Sequence, residues 1–167
     1  KKLDLSPRGI DREVVDTMHR THMGDDQDPA HILKGAIRTA LSDGWGGSMW
    51  ATDISDILFG TPSPRVSQVN LGVLKTNEVN IVVHGHEPTL SEMIVAAVQD
   101  PELIDYAKSK GADGICLAGI CCTSNEVMMR QGIPSAGNFL HQELAILTGA
   151  VEAMVVDVQC IMQALPN

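Results

Sequence analysis

Short apolar runs alternate with segments of helical spacing along the second half of the chain. The apolar runs are too short for buried helices and occupy residues 79–83, 114–120 and 153–158. Segments with helical spacing lie between or beside them, at residues 90–98, 103–110, 126–131 and 140–148. Strands that are apolar on both faces and are separated by helices are typical of a parallel sheet covered on both sides. We therefore predict an α/β fold of βαβαβ order.

The first part of the chain has helical spacing and no strand signal. Helices are expected at about residues 11–23 and 29–41, and glycines within residues 44–47 should break the second of them. A third helix should follow that break. We predict an N-terminal helical extension over residues 1–64 and a Rossmann-like parallel α/β domain over residues 65–167.

Composition and charge limit the functions open to this chain. Its 167 residues are 44% hydrophobic and 3% aromatic, which indicates a globular domain with an aliphatic core. A net charge of −9 argues against a nucleic-acid surface. No apolar run predicts a transmembrane segment, and residues 1–13 lack a signal-peptide core, so we expect a cytoplasmic protein with reduced thiols. Its four cysteines are then candidates for metal, redox or core positions.

A histidine or a cysteine lies at the carboxyl end of each predicted strand. His84 and His86 follow the first strand, Cys121 and Cys122 follow the second, and Cys160 follows the third. The carboxyl ends of parallel strands lie at one edge of the sheet, where such folds bind ligands. Imidazole and thiolate together suit zinc, nickel or iron–sulfur clusters. The pattern therefore predicts a metal site formed by His86, Cys122 and Cys160, with Cys121 and His84 as further candidates.

Cys122 stands directly before a predicted helix start. Thr123 and Glu126 have the spacing of a capping box, which would place Cys122 near the positive end of the helix dipole and favour its thiolate. A single buried cysteine is more often a small core residue, and we expect this of Cys116 in mid-strand. The chain has neither a C-x-x-C pair nor a G-x-G-x-x-G segment. From the pattern alone, a metal site and ordinary structural residues both remain open.

Six segments carry a resemblance to one enzyme family. Around the candidate ligands these are VHGHEPTLSEM (83–93), GICCTSNE (119–126) and VDVQCIM (156–162). In the first part of the chain they are PRGIDRE (7–13), MHRTHMG (18–24) and DGWGGS (43–48). With these segments, essentially the whole chain resembles the central Rossmann-like domain of the anaerobic nickel–iron carbon monoxide dehydrogenases.

This resemblance implies a nickel–iron–sulfur cluster, built from nickel, iron and sulfide. It implies that His86 and Cys122 hold the iron outside the cubane, and that Cys160 holds an iron of the cubane portion. Cys121 would lie beside the cluster, and His84 stays open as the alternative to His86. Additional 4Fe-4S clusters are implied for the full-length enzyme.

The implied reaction is the oxidation of CO with water to CO₂, with electrons passed to a ferredoxin-like acceptor. The family takes its remaining cluster cysteines and its proton-handling residues from sequence outside these segments. We therefore expect a fragment that is inactive alone and that needs the remainder of its polypeptide, within an enzyme that is a homodimer. A hybrid-cluster-type oxidoreductase domain and a non-enzymatic metal-binding or assembly domain are the alternatives.

Overall fold

A computed structural model describes residues 2–158 and 160–165 of the chain. The chain divides into two compact units, residues 1–58 and residues 59–167, and each unit has its own internal packing.

The first unit is helical. Helix α1 spans Ile10–Thr21, helix α2 spans Pro29–Asp43, and helix α3 spans Ala51–Phe59. Asp28 caps α2, because its side chain accepts hydrogen bonds from the backbone N–H groups of the first turn. A short 3₁₀ turn, His22–Gly24, follows α1. The N-terminal helical extension predicted from the sequence is confirmed.

The glycines after α2 do not break the helix, and this part of the sequence prediction is wrong. The stretch Gly44–Trp50 continues from α2 into α3 as a wider π-helix. A Cβ atom built on Gly46 would lie 2.5 Å from the Cδ1 atom of Ile10. Gly46 therefore allows a close approach of the first residue of α1, which a larger side chain would prevent.

A buried carboxylate fixes the start of α1. Glu13 is 1% exposed, and its oxygens accept hydrogen bonds from the Arg8 guanidinium at 2.9 and 3.0 Å and from the Arg8 backbone N–H at 2.8 Å. The hydrogen bonds from Arg8 lower the pKa of Glu13 to about 2, although burial opposes the shift. This pair ties the segment that precedes α1 to the helix itself.

The second unit contains a four-stranded sheet. Its strands are β1, Val79–His84; β2, Ile115–Ile120; β3, Ser135–Gly137; and β4, Val151–Val156. The order across the sheet is β3-β2-β1-β4, and every neighbouring pair is parallel. The predicted parallel α/β fold is confirmed, with β1, β2 and β4 as the three predicted strands. The sequence missed β3, because its three residues, Ser-Ala-Gly, form no apolar run.

Helices cover both faces of this sheet. They are α4, Pro88–Val98; α5, Pro101–Ser109; α6, Cys121–Gln131; and α7, Gln142–Leu147. Ala145 of α7 packs with Val82 on one face, and Val95 of α4 and Val127 of α6 pack with Val83 on the other. Each fully buried valine contributes about 1.5–3 kcal/mol of hydrophobic free energy. In the described part of the chain, no helix is long and apolar enough to cross a membrane.

Helix α6 lies unusually close to strand β2. A Cβ atom built on Gly119 would lie 2.6 Å from the Cα atom of Ser124, so only glycine allows this approach. Because the helix begins at Cys121, directly after β2, the close approach fixes where Cys121 and Cys122 leave the sheet.

Candidate metal centre

The carboxyl ends of β1, β2 and β4 meet at one edge of the sheet. His84, the last residue of β1, is in register with Ile120 at the end of β2 and with Val156 at the end of β4. The segments that follow these three residues therefore leave the sheet side by side. This is the edge at which parallel α/β sheets bind their ligands.

His86 and Cys160 come together at this edge. The Nε2 atom of His86 lies 3.9 Å from the Sγ atom of Cys160. Two such donors bound to one tetrahedral metal would be separated by roughly 3.6 Å, given metal–nitrogen and metal–sulfur bonds of about 2.0–2.1 and 2.3 Å. The observed distance therefore places the two donors close enough to bind one metal or neighbouring metals of one cluster.

Hydrogen bonding orients the His86 ring toward Cys160. The Nδ1 atom of His86 lies 3.1 Å from the carbonyl oxygen of Val158. A proton on Nδ1 would be donated to that carbonyl, leaving the lone pair of Nε2 for a metal. Metal-binding histidines commonly use such a partner on the opposite ring nitrogen.

Cys121 and Cys122 are the first two residues of α6. The capping box predicted at Thr123 is absent: residue 120 is the N-cap, and no side chain caps the helix. Cys122 is exposed, whereas Cys121 is half-buried and has a φ of +63°. Burial, followed by the charges of Cys160 and Cys122, raises the pKa of Cys121 to about 11. The Cys121 thiol therefore stays protonated near neutral pH.

His84, the last residue of β1, is buried beneath the edge. It is 1% exposed, and within the described residues neither of its ring nitrogens has a hydrogen-bond partner. Its neighbours around a small gap in the packing include Ser91 and Thr123. The structure therefore separates the two histidines of the sequence motif: His86 faces a thiol at the surface, and His84 is enclosed.

Cys122 does not converge with His86 and Cys160 on one ion. Among residues 2–158 and 160–165, no three histidine, cysteine, aspartate or glutamate side chains are placed to hold a single metal ion. A metal–sulfur cluster does not require all its protein ligands to meet at one ion, because they bind different metal atoms of the cluster. The donor set of imidazole and thiols at one sheet edge has the chemistry that such a cluster needs.

Two polar residues that the sequence analysis missed hold the loop after β4. Gln142 is fully buried; it donates to the Cys160 carbonyl oxygen at 2.6 Å and accepts from the Met162 backbone N–H at 2.8 Å. Asp157 accepts hydrogen bonds from the backbone N–H groups of His86 and Glu87. The available signal for Asp157 was an acidic residue inside an otherwise apolar run close to Cys160.

The fold and these donors define a Rossmann-like α/β domain with a candidate metal centre at the carboxyl edge of its sheet. A family model described as the Prismane/CO dehydrogenase family matches residues 1–167. The chain belongs to this family.

Comparisons with individual proteins agree with the family. Carbon monoxide dehydrogenase 1 of Methanosarcina mazei is 67% identical over 165 residues, which are 99% of this chain and 26% of that protein. The as-isolated, nickel-free crystal structure of carbon monoxide dehydrogenase from Thermococcus sp. AM4 has a TM-score of 0.89 and 58% identity, covering 98% of this chain and 26% of that one.

A third match is a structure of acetyl-CoA synthase/carbon monoxide dehydrogenase whose alpha subunits hold NiZn[Fe4S4] and NiNi[Fe4S4] clusters. It has a TM-score of 0.86 and 54% identity, and covers 97% of this chain and 24% of that chain. The chain thus spans about a quarter of the length of the relatives that it matches.

Proposed function

We propose that this chain is part of a carbon monoxide dehydrogenase and supplies part of the ligand set of its nickel–iron–sulfur cluster. The strongest support is the 3.9 Å distance between His86 Nε2 and Cys160 Sγ. These residues follow different strands, so the fold rather than the local sequence brings them together. The 67% identity to a relative named carbon monoxide dehydrogenase supports the reaction, oxidation of CO with water to CO₂.

In this proposal, His86 and Cys122 hold the iron outside the cubane, and Cys160 holds an iron of the cubane. His86 is preferred to His84 because His86 faces a thiol, whereas His84 is 1% exposed beneath the edge. Cys121 lies beside the cluster. When bound, the cluster would supply Lewis-acid sites for CO and water and would accept the electrons of the oxidation.

The chain's own residues orient and support these ligands. The Val158 carbonyl selects the His86 tautomer that presents Nε2 to a metal. The buried Gln142 side chain bridges the Cys160 carbonyl and the Met162 N–H, and so fixes the path of the loop around the thiol.

The proposal assigns the remaining steps to other parts of the enzyme. The remainder of the polypeptide would complete the cluster ligands, and 4Fe-4S clusters would pass electrons to a ferredoxin-like acceptor. A homodimer is the expected assembly. We expect the 167-residue chain alone to oxidise no CO, because it contains only four cysteines and the implied ligand set is larger.

A cobalt titration of this chain tests the ligand assignment. Cobalt(II) bound by thiolate absorbs strongly, so the titration reports thiol ligation directly. We expect Cys122→Ala to weaken binding on the order of 10-fold or more, because the variant removes a ligand. The matched control is Cys116→Ala. Cys116 is buried in β2 and donates to the Val73 carbonyl oxygen at 3.4 Å, so its loss should change affinity by less than about 2-fold.

The opposite ranking of the two variants would contradict the assignment. If Cys116→Ala abolishes the absorption and Cys122→Ala leaves it intact, the strand-end ligand set is wrong. If neither variant changes binding, Cys122 is not a ligand and its assignment is wrong.

A further inference from the structure

Asp157 links two of the loops that carry the candidate ligands. Its backbone N–H donates to the His84 carbonyl oxygen at 3.1 Å, which extends the β1–β4 pairing by one step. Its side chain then turns toward the loop after β1. One carboxylate oxygen accepts from the His86 N–H at 2.8 Å, and the other accepts from the Glu87 N–H at 2.7 Å. The Val158 N–H donates to the same carboxylate.

This approach depends on the absence of a side chain at position 85. A Cβ atom built on Gly85 would collide with the Asp157 carboxylate. Gly85 also has a φ of +134°, a conformation that other residues rarely adopt. Gly85, which lies between the two histidines, therefore leaves the space that the Asp157 carboxylate occupies.

The bonded backbone groups belong to the residues that orient the candidate ligands. The His86 N–H fixes the backbone that carries the imidazole. The Val158 N–H fixes the peptide whose carbonyl lies 3.1 Å from His86 Nδ1. Val158 also lies two positions before Cys160. The Asp157 carboxylate therefore bonds to the first residues of both the loop after β1 and the loop after β4.

We propose that Asp157 is a positioning residue: its carboxylate, seated against Gly85, holds the His86 imidazole in the tautomer and orientation that place Nε2 beside the Cys160 thiol. This inference deepens the proposed function and rests on the same candidate site. A carboxylate that accepts several backbone N–H groups forms charge-assisted hydrogen bonds, which are stronger and more directional than neutral ones. Outer residues of this kind commonly change metal affinity 10–100-fold, although they do not touch the metal.

The test compares the wild-type chain with Asp157→Asn, which keeps the size of the side chain but replaces one acceptor oxygen by a donor. Asp105→Asn is the matched control. Asp105 is exposed on α5, so this substitution removes the same charge at a position away from the candidate site. The first readout is the tautomer of the His86 ring in metal-free protein, by long-range ¹H–¹⁵N NMR, with His86→Ala to assign the signal. The second is the cobalt affinity.

We expect wild-type His86 to carry its proton on Nδ1 and Asp157→Asn to shift the ring toward a mixture of tautomers. Cobalt affinity should fall about 10–100-fold in Asp157→Asn and stay unchanged in Asp105→Asn. Circular dichroism should show the same secondary structure in all three proteins. A purely structural role for Asp157 would lower stability and leave the tautomer and the affinity of the folded protein unchanged.

An unchanged His86 tautomer and unchanged cobalt affinity in folded Asp157→Asn would overturn the positioning role. If that variant does not fold, the wild-type spectrum decides: a His86 ring protonated on Nε2 contradicts the inference without any variant. Failure of the proposed function gives a different result. In that case His86→Ala and Cys160→Ala bind cobalt as the wild type does, whatever the tautomer of His86.

Discussion

At the scale of single residues, the structure brings His86 and Cys160 together at the sheet edge, with the Nε2 atom of His86 3.9 Å from the Sγ atom of Cys160. His86 and Cys160 could be singled out because each follows a predicted strand. The role of Asp157 depends on the missing side chain of Gly85 and on backbone N–H groups, and neither is visible in an apolar pattern. Similarly, the Val158 carbonyl acts through the backbone, so its residue type gives no signal.

Glu13 predicts how the first unit responds to acid. Its pKa is lowered to about 2 in the folded chain, so its contribution is present above the ordinary value of 4.5 and is lost as the pH falls toward 2. Glu13→Gln should lower the free energy of unfolding at neutral pH by about 1.5–3 kcal/mol, the worth of hydrogen bonds to a charged group. The variant should also lose stability less steeply than the wild type over this acid range.

Denaturant unfolding followed by circular dichroism, repeated across that pH range, measures both effects. The control is Asp11→Asn, which removes a charge from the same first turn of α1 at an exposed position and should cost less than about 1 kcal/mol. Parallel pH profiles for Glu13→Gln and the wild type would show that the Arg8 pair does not stabilise the folded chain.

At the scale of elements, periodicity found the long strands and misplaced their ends. The third predicted strand, residues 153–158, is in fact β4 at Val151–Val156. Directly after the strand, the Asp157 side chain accepts hydrogen bonds from the loop that follows β1. The start of α6 was also misplaced. Its first residue is Cys121, directly after β2, where Gly119 allows the helix to lie close to the strand.

The contact between β2 and α6 makes a prediction at this scale. Gly119→Ala would force a Cβ atom against the backbone of Ser124, and we expect it to lower the free energy of unfolding by about 1–3 kcal/mol. Gly114→Ala is the matched control, one residue before the same strand. The nearest atom to its Cβ would lie 3.9 Å away, at the Glu78 carboxyl group, so the change should be under about 1 kcal/mol.

Chemical denaturation of the two variants gives this comparison. Because α6 begins with the cysteines, Gly119→Ala should also weaken cobalt binding, whereas Gly114→Ala should not. Equal stabilities of the two variants would contradict this prediction, because α6 could then move away from the sheet at no cost. The packing of Val127 of α6 against Val83 of β1 argues against such a movement.

At the scale of the whole molecule, the order of apolar runs was enough to predict a parallel α/β sheet. The principle that strand ends share one edge then placed His86, Cys122 and Cys160 in the same region. Pattern alone could not fix the distances between them, since these depend on loops held by Asp157 and Gln142. The comparisons identify the family. The chain spans about a quarter of the length of its relatives, so the proposal assigns the remaining cluster ligands to the rest of the polypeptide.

X-ray absorption at the cobalt edge of the metal-loaded chain tests the central claim most directly, because it identifies the atoms bound to the metal. The account predicts a first shell with sulfur at about 2.3 Å and imidazole nitrogen at about 2.0–2.1 Å. His86→Ala should remove the imidazole scattering, and Cys160→Ala should reduce the sulfur signal. A first shell of oxygen and nitrogen alone, unchanged in both variants, would contradict the claim that this sheet edge supplies cluster ligands.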